Sequence, residues 1–107
     1  MTLNSHQKEL ARRELGELLE RSGLAVDDLV RDLGFTRSRA KGAISLDPSC
    51  DPADAWAVRD YLLRAMRERG EGDVDLRVFT DSNRVKAQRW FPLVDPPAVG
   101  WGAGPRA

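Results

Sequence analysis

The chain predicts a mainly α-helical single domain that ends in a small C-terminal β-hairpin or extended arm. Three observations carry that prediction. Apolar residues recur at three- and four-residue steps along four successive stretches. Cap residues precede these stretches or glycines follow them, as at Thr36, Asp51, Gly23 and Gly70. Beyond Gly72 the pattern changes to strict alternation. A length of 107 residues suits one ordinary domain. The helical domain is placed at residues 1–91 and a Pro/Gly-rich tail at 92–107.

The first helix is expected from about Ser5 to Arg21, with Asn4 as N-cap and Gln7 positioned to complete a capping box. Leu10, Ala11, Leu15, Leu18 and Leu19 mark its apolar face, and Ser22-Gly23 supplies the stop. A short second helix runs from about Val26 to Leu33. Its stripe is Val26, Leu29, Val30 and Leu33, with Asp27 and Asp28 at the positive N-terminal end. Gly34 ends it. Thr36 caps a third helix that runs to about Ser45 and turns Ala40, Ala43 and Ile44 inward. After the loop LDPSCDPAD, Asp51 followed by Pro52 starts a fourth helix that reaches about Arg69. Val74, Leu76 and Val78 then alternate with Asp75 and Arg77, which predicts a short strand ending at Phe79. Thr80 to Asn83 reads as a turn and KAQRWF as a returning strand or a short helix, the hairpin being the favoured of the two, giving an arm over residues 74–91. No internal repeat stands out.

Seventeen basic side chains balance seventeen acidic ones, so overall charge does not favour nucleic acid. The distribution is uneven. Residues 36–46 carry Arg37, Arg39 and Lys41 with no acid, and Asp47, Asp51 and Asp54 follow at once. Local clustering is what a phosphate backbone senses. No apolar run approaches the roughly 20 residues of a membrane span, and MTLNSHQKELARREL lacks the basic and apolar regions of a secretory signal. A cytoplasmic protein without membrane contact is expected. The single cysteine, Cys50, lies between Asp47 and Asp51, whose charges oppose a reactive thiolate.

Residues 26–46 combine two short helices, a glycine at the turn, an aromatic plug at Phe35 and small residues that pack the second helix on the first. That is the constellation a helix-turn-helix requires. Over residues 5–66 the chain resembles the lambda-repressor-like helix-turn-helix proteins. Over nearly its full length it is also similar to a family of short uncharacterised bacterial proteins, which begin MTLN, carry a helix-turn-helix-like half and end in an aromatic segment like RWF here. The first resemblance implies a lambda-repressor-like core of four helices and double-stranded DNA as partner. Residues 36–45 would then enter the major groove. Thr36, Arg37, Ser38, Lys41 and Gly42 would face it, with the Arg37 fork bridging O6 and N7 of guanine. Thr36, Ser38 and Arg39 would hold phosphates. Val30 stands where the motif usually has alanine, and Gly42 costs the recognition helix about 1 kcal/mol relative to alanine.

Elsewhere the residues point away from catalysis. His6, the one histidine, has no positioned nucleophile near it in sequence. Asp51 and Asp54 suit the start of the fourth helix better than a metal, and GWGAG lacks the strand and helix of a phosphate loop. No cofactor, metal or enzyme activity is expected. The aromatics Trp56, Tyr61, Phe79, Trp90 and Phe91 exceed what a chain this small easily buries: either the C-terminal segment folds over the fourth helix and completes the core or, the favoured expectation, a homodimer uses them as its interface. Paired recognition helices in such a dimer would read half-sites about 34 Å apart. The sequence thus points to a DNA-binding transcriptional regulator. The other reading is a homodimeric interaction module that keeps the shape without binding DNA, and uses its C-terminal aromatic surface for a protein or small ligand.

Overall fold

The four expected helices form, the third and fourth of them at the cap residues Thr36 and Asp51. The computed structural model describes residues 5–71, 74–90, 93, 96, 97, 99 and 100. Helix α1 spans Ser5–Ser22, α2 Val26–Leu33, α3 Arg37–Ser45, α4 Pro52–Glu68 and α5 Asp81–Ala87. The proposed cap Asn4 lies outside the described residues. At α2 the Asp28 carboxylate accepts the Ala25 N–H at 2.8 Å, and Gly34 closes the helix at φ 71°. The Thr36 hydroxyl accepts the Arg39 N–H at 3.1 Å, and the Asp51 carboxylate accepts the Ala53 N–H at 2.9 Å ahead of Pro52.

Helix α4 is the centre of the fold. It packs along α1 and α3, and it buries Ala55, Trp56, Val58, Tyr61, Leu62, Leu63, Ala65 and Met66 on more than one side. Leu15 and Leu18 from α1, Leu29 from α2 and Ala40 and Ala43 from α3 complete the same core. Such continuous burial of apolar surface, worth about 25 cal/mol per Å², is why α4 has an apolar girth that one packing partner would not need. Among the described residues no helix is long and apolar enough to cross a membrane.

The C-terminal hairpin does not form. Among the described residues there is no strand, and helix α5 occupies the expected turn and runs into the start of the KAQRWF segment. The physical reason lies at both ends of the stretch. The Thr80 hydroxyl accepts the Asn83 N–H at 3.0 Å, a helix cap where a turn was expected. The alternation of Val74, Leu76 and Val78 is real, since Val78 is buried and the other two partly so. Their backbone, however, pairs with a side chain. The Glu14 carboxylate of α1 accepts three successive N–H groups, from Arg77 at 2.6 Å, Val78 at 2.9 Å and Phe79 at 2.9 Å. Buried or half-buried backbone donors need a partner, and here one carboxylate replaces a neighbouring strand.

Two polar hubs tie the later elements to α4. Arg59, almost wholly buried, donates to the Phe79 carbonyl at 3.0 Å, to Asp60 at 2.8 Å and to Asp81 at 2.5 Å, and Arg84 reaches Asp60 at 2.8 Å. Asp32 of α2 accepts from Arg31 at 2.8 and 3.0 Å, from the Tyr61 hydroxyl and from the Gly100 N–H at 2.9 Å. The Arg31 hydrogen bonds hold the Asp32 carboxyl well below the usual carboxylate range, while burial and then Asp32 push the Tyr61 hydroxyl up. The described part of the tail therefore docks: Val99 is buried and Arg64 donates to the Pro96 carbonyl at 2.8 Å.

Candidate nucleic-acid interface

Helices α2 and α3 meet at the corner formed by Gly34, Phe35 and Thr36. Leu29 and Phe35 are buried behind it, and Ala40 and Ala43 are fully buried where α3 crosses back. These two alanines are small enough to bring α3 close to the core, where Ile44 packs beside them, and the polar side chains of the helix are sent outward or sideways. Thr36, Arg37, Ser38, Arg39 and Lys41 are all exposed. The five residues singled out from sequence thus share one solvent-facing helix.

Their electrostatics differ from what a bare basic helix would give. Arg37 leans toward α2 and pairs with Asp27, both side chains being exposed. Arg39 leans the opposite way, toward α4. Its Nε and Nη2 grip the two Asp54 oxygens at 2.7 and 2.8 Å, and its guanidinium lies 4.1 Å from the centre of the Phe35 ring. Bidentate contact with a carboxylate and stacking on an aromatic face are the two geometries in which arginine is held most firmly. Lys41 makes no ion pair among the described residues.

Behind Gly42 the chain turns sharply. Leu46 adopts a left-handed conformation at φ 52°, and the Asp47 N–H reaches the Gly42 carbonyl at 2.9 Å, closing α3. The following loop folds beside the helix and leaves a 470 Å³ cleft lined by Arg39, Gly42, Asp47, Cys50 and Asp54. Its character is acidic. Hydrogen bonds from Ser49 lower the Asp47 carboxyl, while burial and the nearby aspartates raise the Cys50 thiol. A thiol so placed stays protonated and is a poor nucleophile. No group of side chains that could hold a metal ion occurs among the described residues.

The aromatic residues are distributed differently from the expectation. Trp56, Tyr61 and Phe79 are 4%, 0% and 3% exposed, inside the protomer's own core. Phe79 meets Trp56 edge to face at 5.0 Å between ring centres. The premise that so small a chain could not bury them fails, because α4 is covered on several sides by α1, α3, the 74–80 segment and α5. Trp90 is 70% exposed, and Phe91 lies outside the described residues.

Sequence reasoning overlooked Asp27, Asp54 and Phe35 as partners of the α3 arginines. Both aspartates had been assigned to helix dipoles, a correct but incomplete role. The pairs are 10 and 15 residues apart, so no local spacing announces them. Over residues 1–92 the chain matches the model of a family described as an uncharacterized protein conserved in bacteria (DUF2316). No curated protein and no solved structure matches it.

Proposed function

The chain belongs to this DUF2316 family of bacterial proteins, and we propose, from the form of its α2–α3 corner, that it is a helix-turn-helix DNA-binding protein of the lambda-repressor-like kind, acting as a transcriptional regulator. The observation that carries the reading is the α2–α3 corner. Its second helix is capped by Thr36, anchored by two buried alanines and exposed along Thr36, Arg37, Ser38 and Lys41. A helix of this form can enter a major groove with its N-terminal half foremost. In this reading Arg37 and Lys41 reach base edges, and Thr36, Ser38 and Arg39 hold the backbone.

Fluorescence anisotropy of a labelled random duplex, titrated at low and at moderate salt, tests this. Binding should weaken steeply with salt, because it releases counterions from the phosphates, and should fall roughly tenfold or more in Arg37→Ala/Lys41→Ala, which removes both groove-facing cations. No binding at low salt would refute it, because nonspecific phosphate attraction is the first term to appear.

A second reading rests on a separate observation. Val85 and Trp90, on and just after α5, are 59% and 70% exposed, an apolar pair beside Lys86 and Arg89. Exposed tryptophan is a common centre of protein interfaces. In that case the molecule is an interaction module, and Trp90→Ala, rather than the α3 double variant, would abolish association.

A further inference from the structure

Resting on the DNA-binding reading, we propose that Asp27 is an internal stand-in for a DNA phosphate. It holds Arg37 in the free protein, releases it on the duplex, and so weakens binding to sites that offer Arg37 no better partner.

The two arginines of α3 are held very differently. Arg39 is fixed along one edge by both oxygens of Asp54 and on one face by Phe35. Asp54 is itself buried, so withdrawing Arg39 would leave an uncompensated carboxylate away from water. Arg39 therefore keeps its place when a duplex arrives, and only its outer nitrogen, Nη1, is left for a phosphate. Arg37 has no such restraint. Its one link is through Nη2 to Asp27, with side chains 58% and 74% exposed. Exposed pairs of this kind are weak and screened by salt.

Asp27 cannot readily turn aside to relieve the competition. It stands in the first turn of α2, where the helix dipole favours a negative charge, and α2 is fastened through Leu29 to the core and through Asp32 to Tyr61. A negative charge thus stays next to the N-terminal half of α3 whatever the ligand. Every approaching phosphate meets it. The cost is recovered where Arg37 gains a bidentate acceptor that only some sites offer, the O6/N7 edge of guanine. A repulsive element whose cost is offset at those sites and not at others raises specificity.

Asp27→Asn removes the stand-in while keeping the side chain's size, and its exposure makes the substitution safe for the fold. On the random duplex at low salt it should tighten binding about three- to tenfold over the parent chain, the range set by a weak exposed pair. The gain should vanish in Asp27→Asn/Arg37→Ala. Asp47→Asn provides the control: it removes an equal charge from the loop after α3 that contacts no arginine, and should change affinity less than twofold. Thermal unfolding of each variant verifies that it is folded.

Binding by the parent chain with no gain in Asp27→Asn would overturn the proposal and leave the DNA reading intact. So would an equal gain in Asp47→Asn, or a gain that survives loss of Arg37, since either would reduce the effect to net charge. Failure of the parent chain and all variants to bind at low salt would instead overturn the DNA reading, and this inference with it.

Discussion

Two helices of this protein start with the same words. Phe35-Thr36-Arg37-Ser38 opens α3, and Phe79-Thr80-Asp81-Ser82 opens α5. In both, the phenylalanine is buried and the threonine hydroxyl accepts the N–H three residues on, at 3.1 and 3.0 Å. In both, an ion pair then joins the short helix to a buried side chain of α4. The charges are reversed. Helix α3 offers Arg39 to the Asp54 carboxylate, whereas α5 offers Asp81 to the Arg59 guanidinium. Helix α4 thus serves as a frame whose buried Asp54 and buried Arg59 each receive one short helix, which docks by presenting the complement. The difference lies in how much else is committed. Around α5, Arg59 also holds the Phe79 carbonyl and Asp60, and Arg84 adds a second link. Around α3, Asp54 makes one bidentate bond, and the other cations remain on the surface. The α5 start is a joint; the α3 start is a joint with an outward face.

The strongest test of that contrast is to remove the base from the frame. Arg59→Ala leaves the buried Asp60 with Arg84 as its remaining partner, unpairs the Phe79 carbonyl and loosens the start of α5, and should cost about 3–5 kcal/mol. That is a large share of the roughly 5–15 kcal/mol that holds a small domain together. Arg39→Ala, with a half-exposed guanidinium, should cost about 1–3 kcal/mol. Equal losses in denaturant titrations would break the comparison.

A smaller effect addresses the shared opening. Thr36→Ala and Thr80→Ala should each lose about 1 kcal/mol. Amide exchange should then quicken across 81–87 in the second variant and across 37–45 in the first. A silent Thr80→Ala would mean that the second opening is no cap.

The smallest effect is one of acidity. The Arg59 hydrogen bond and charge lower the Asp81 carboxyl below its ordinary value. A depressed folded value means that the stabilisation is complete above the unfolded value, near about pH 3.9, and drains away as pH falls further. Amide protection in 81–87 should therefore decline with acidification below about pH 4, and Asp81→Asn should abolish that dependence. An unchanged profile in the variant would show that Asp81 is a bystander.

The same pair of openings shows what could be read before any coordinates. Four helices were legible because Gly23, Gly34, Thr36, Asp51-Pro52 and Gly70 punctuate them and the apolar spacing between is helical. Helix α5 was missed although its first residues repeat those of α3. The preceding alternation of Val74, Leu76 and Val78 suggested a strand, and a strand implied a turn at Thr80. Alternation reports only that one side of an extended segment is buried; it does not say what its backbone bonds to. Here that partner, Glu14, lies some 63 to 65 residues earlier. At the candidate site, periodicity places Ala40 and Ala43 inward, and the resemblance to helix-turn-helix proteins points to Thr36, Arg37, Ser38, Arg39 and Lys41, all of which are exposed. Which carboxylates hold the arginines depended on how α2 and α4 flank α3, a matter of packing. Counting aromatics likewise cannot tell how many sides of α4 are covered, and so does not separate the buried Trp56, Tyr61 and Phe79 from the exposed Trp90.

The Glu14 carboxylate has one further consequence. A segment of the type VDLRVF, apolar on one side and extended, is the kind of sequence that recruits foreign strands and seeds aggregates when its amide edge is open. With the N–H groups of Arg77, Val78 and Phe79 already taken by one acid, and with Asp75 and Arg77 flanking the apolar positions, that edge has little to offer a passing chain. A single glutamate on a distant helix thereby acts as a gatekeeper of solubility for a stretch of chain with which it shares no local sequence.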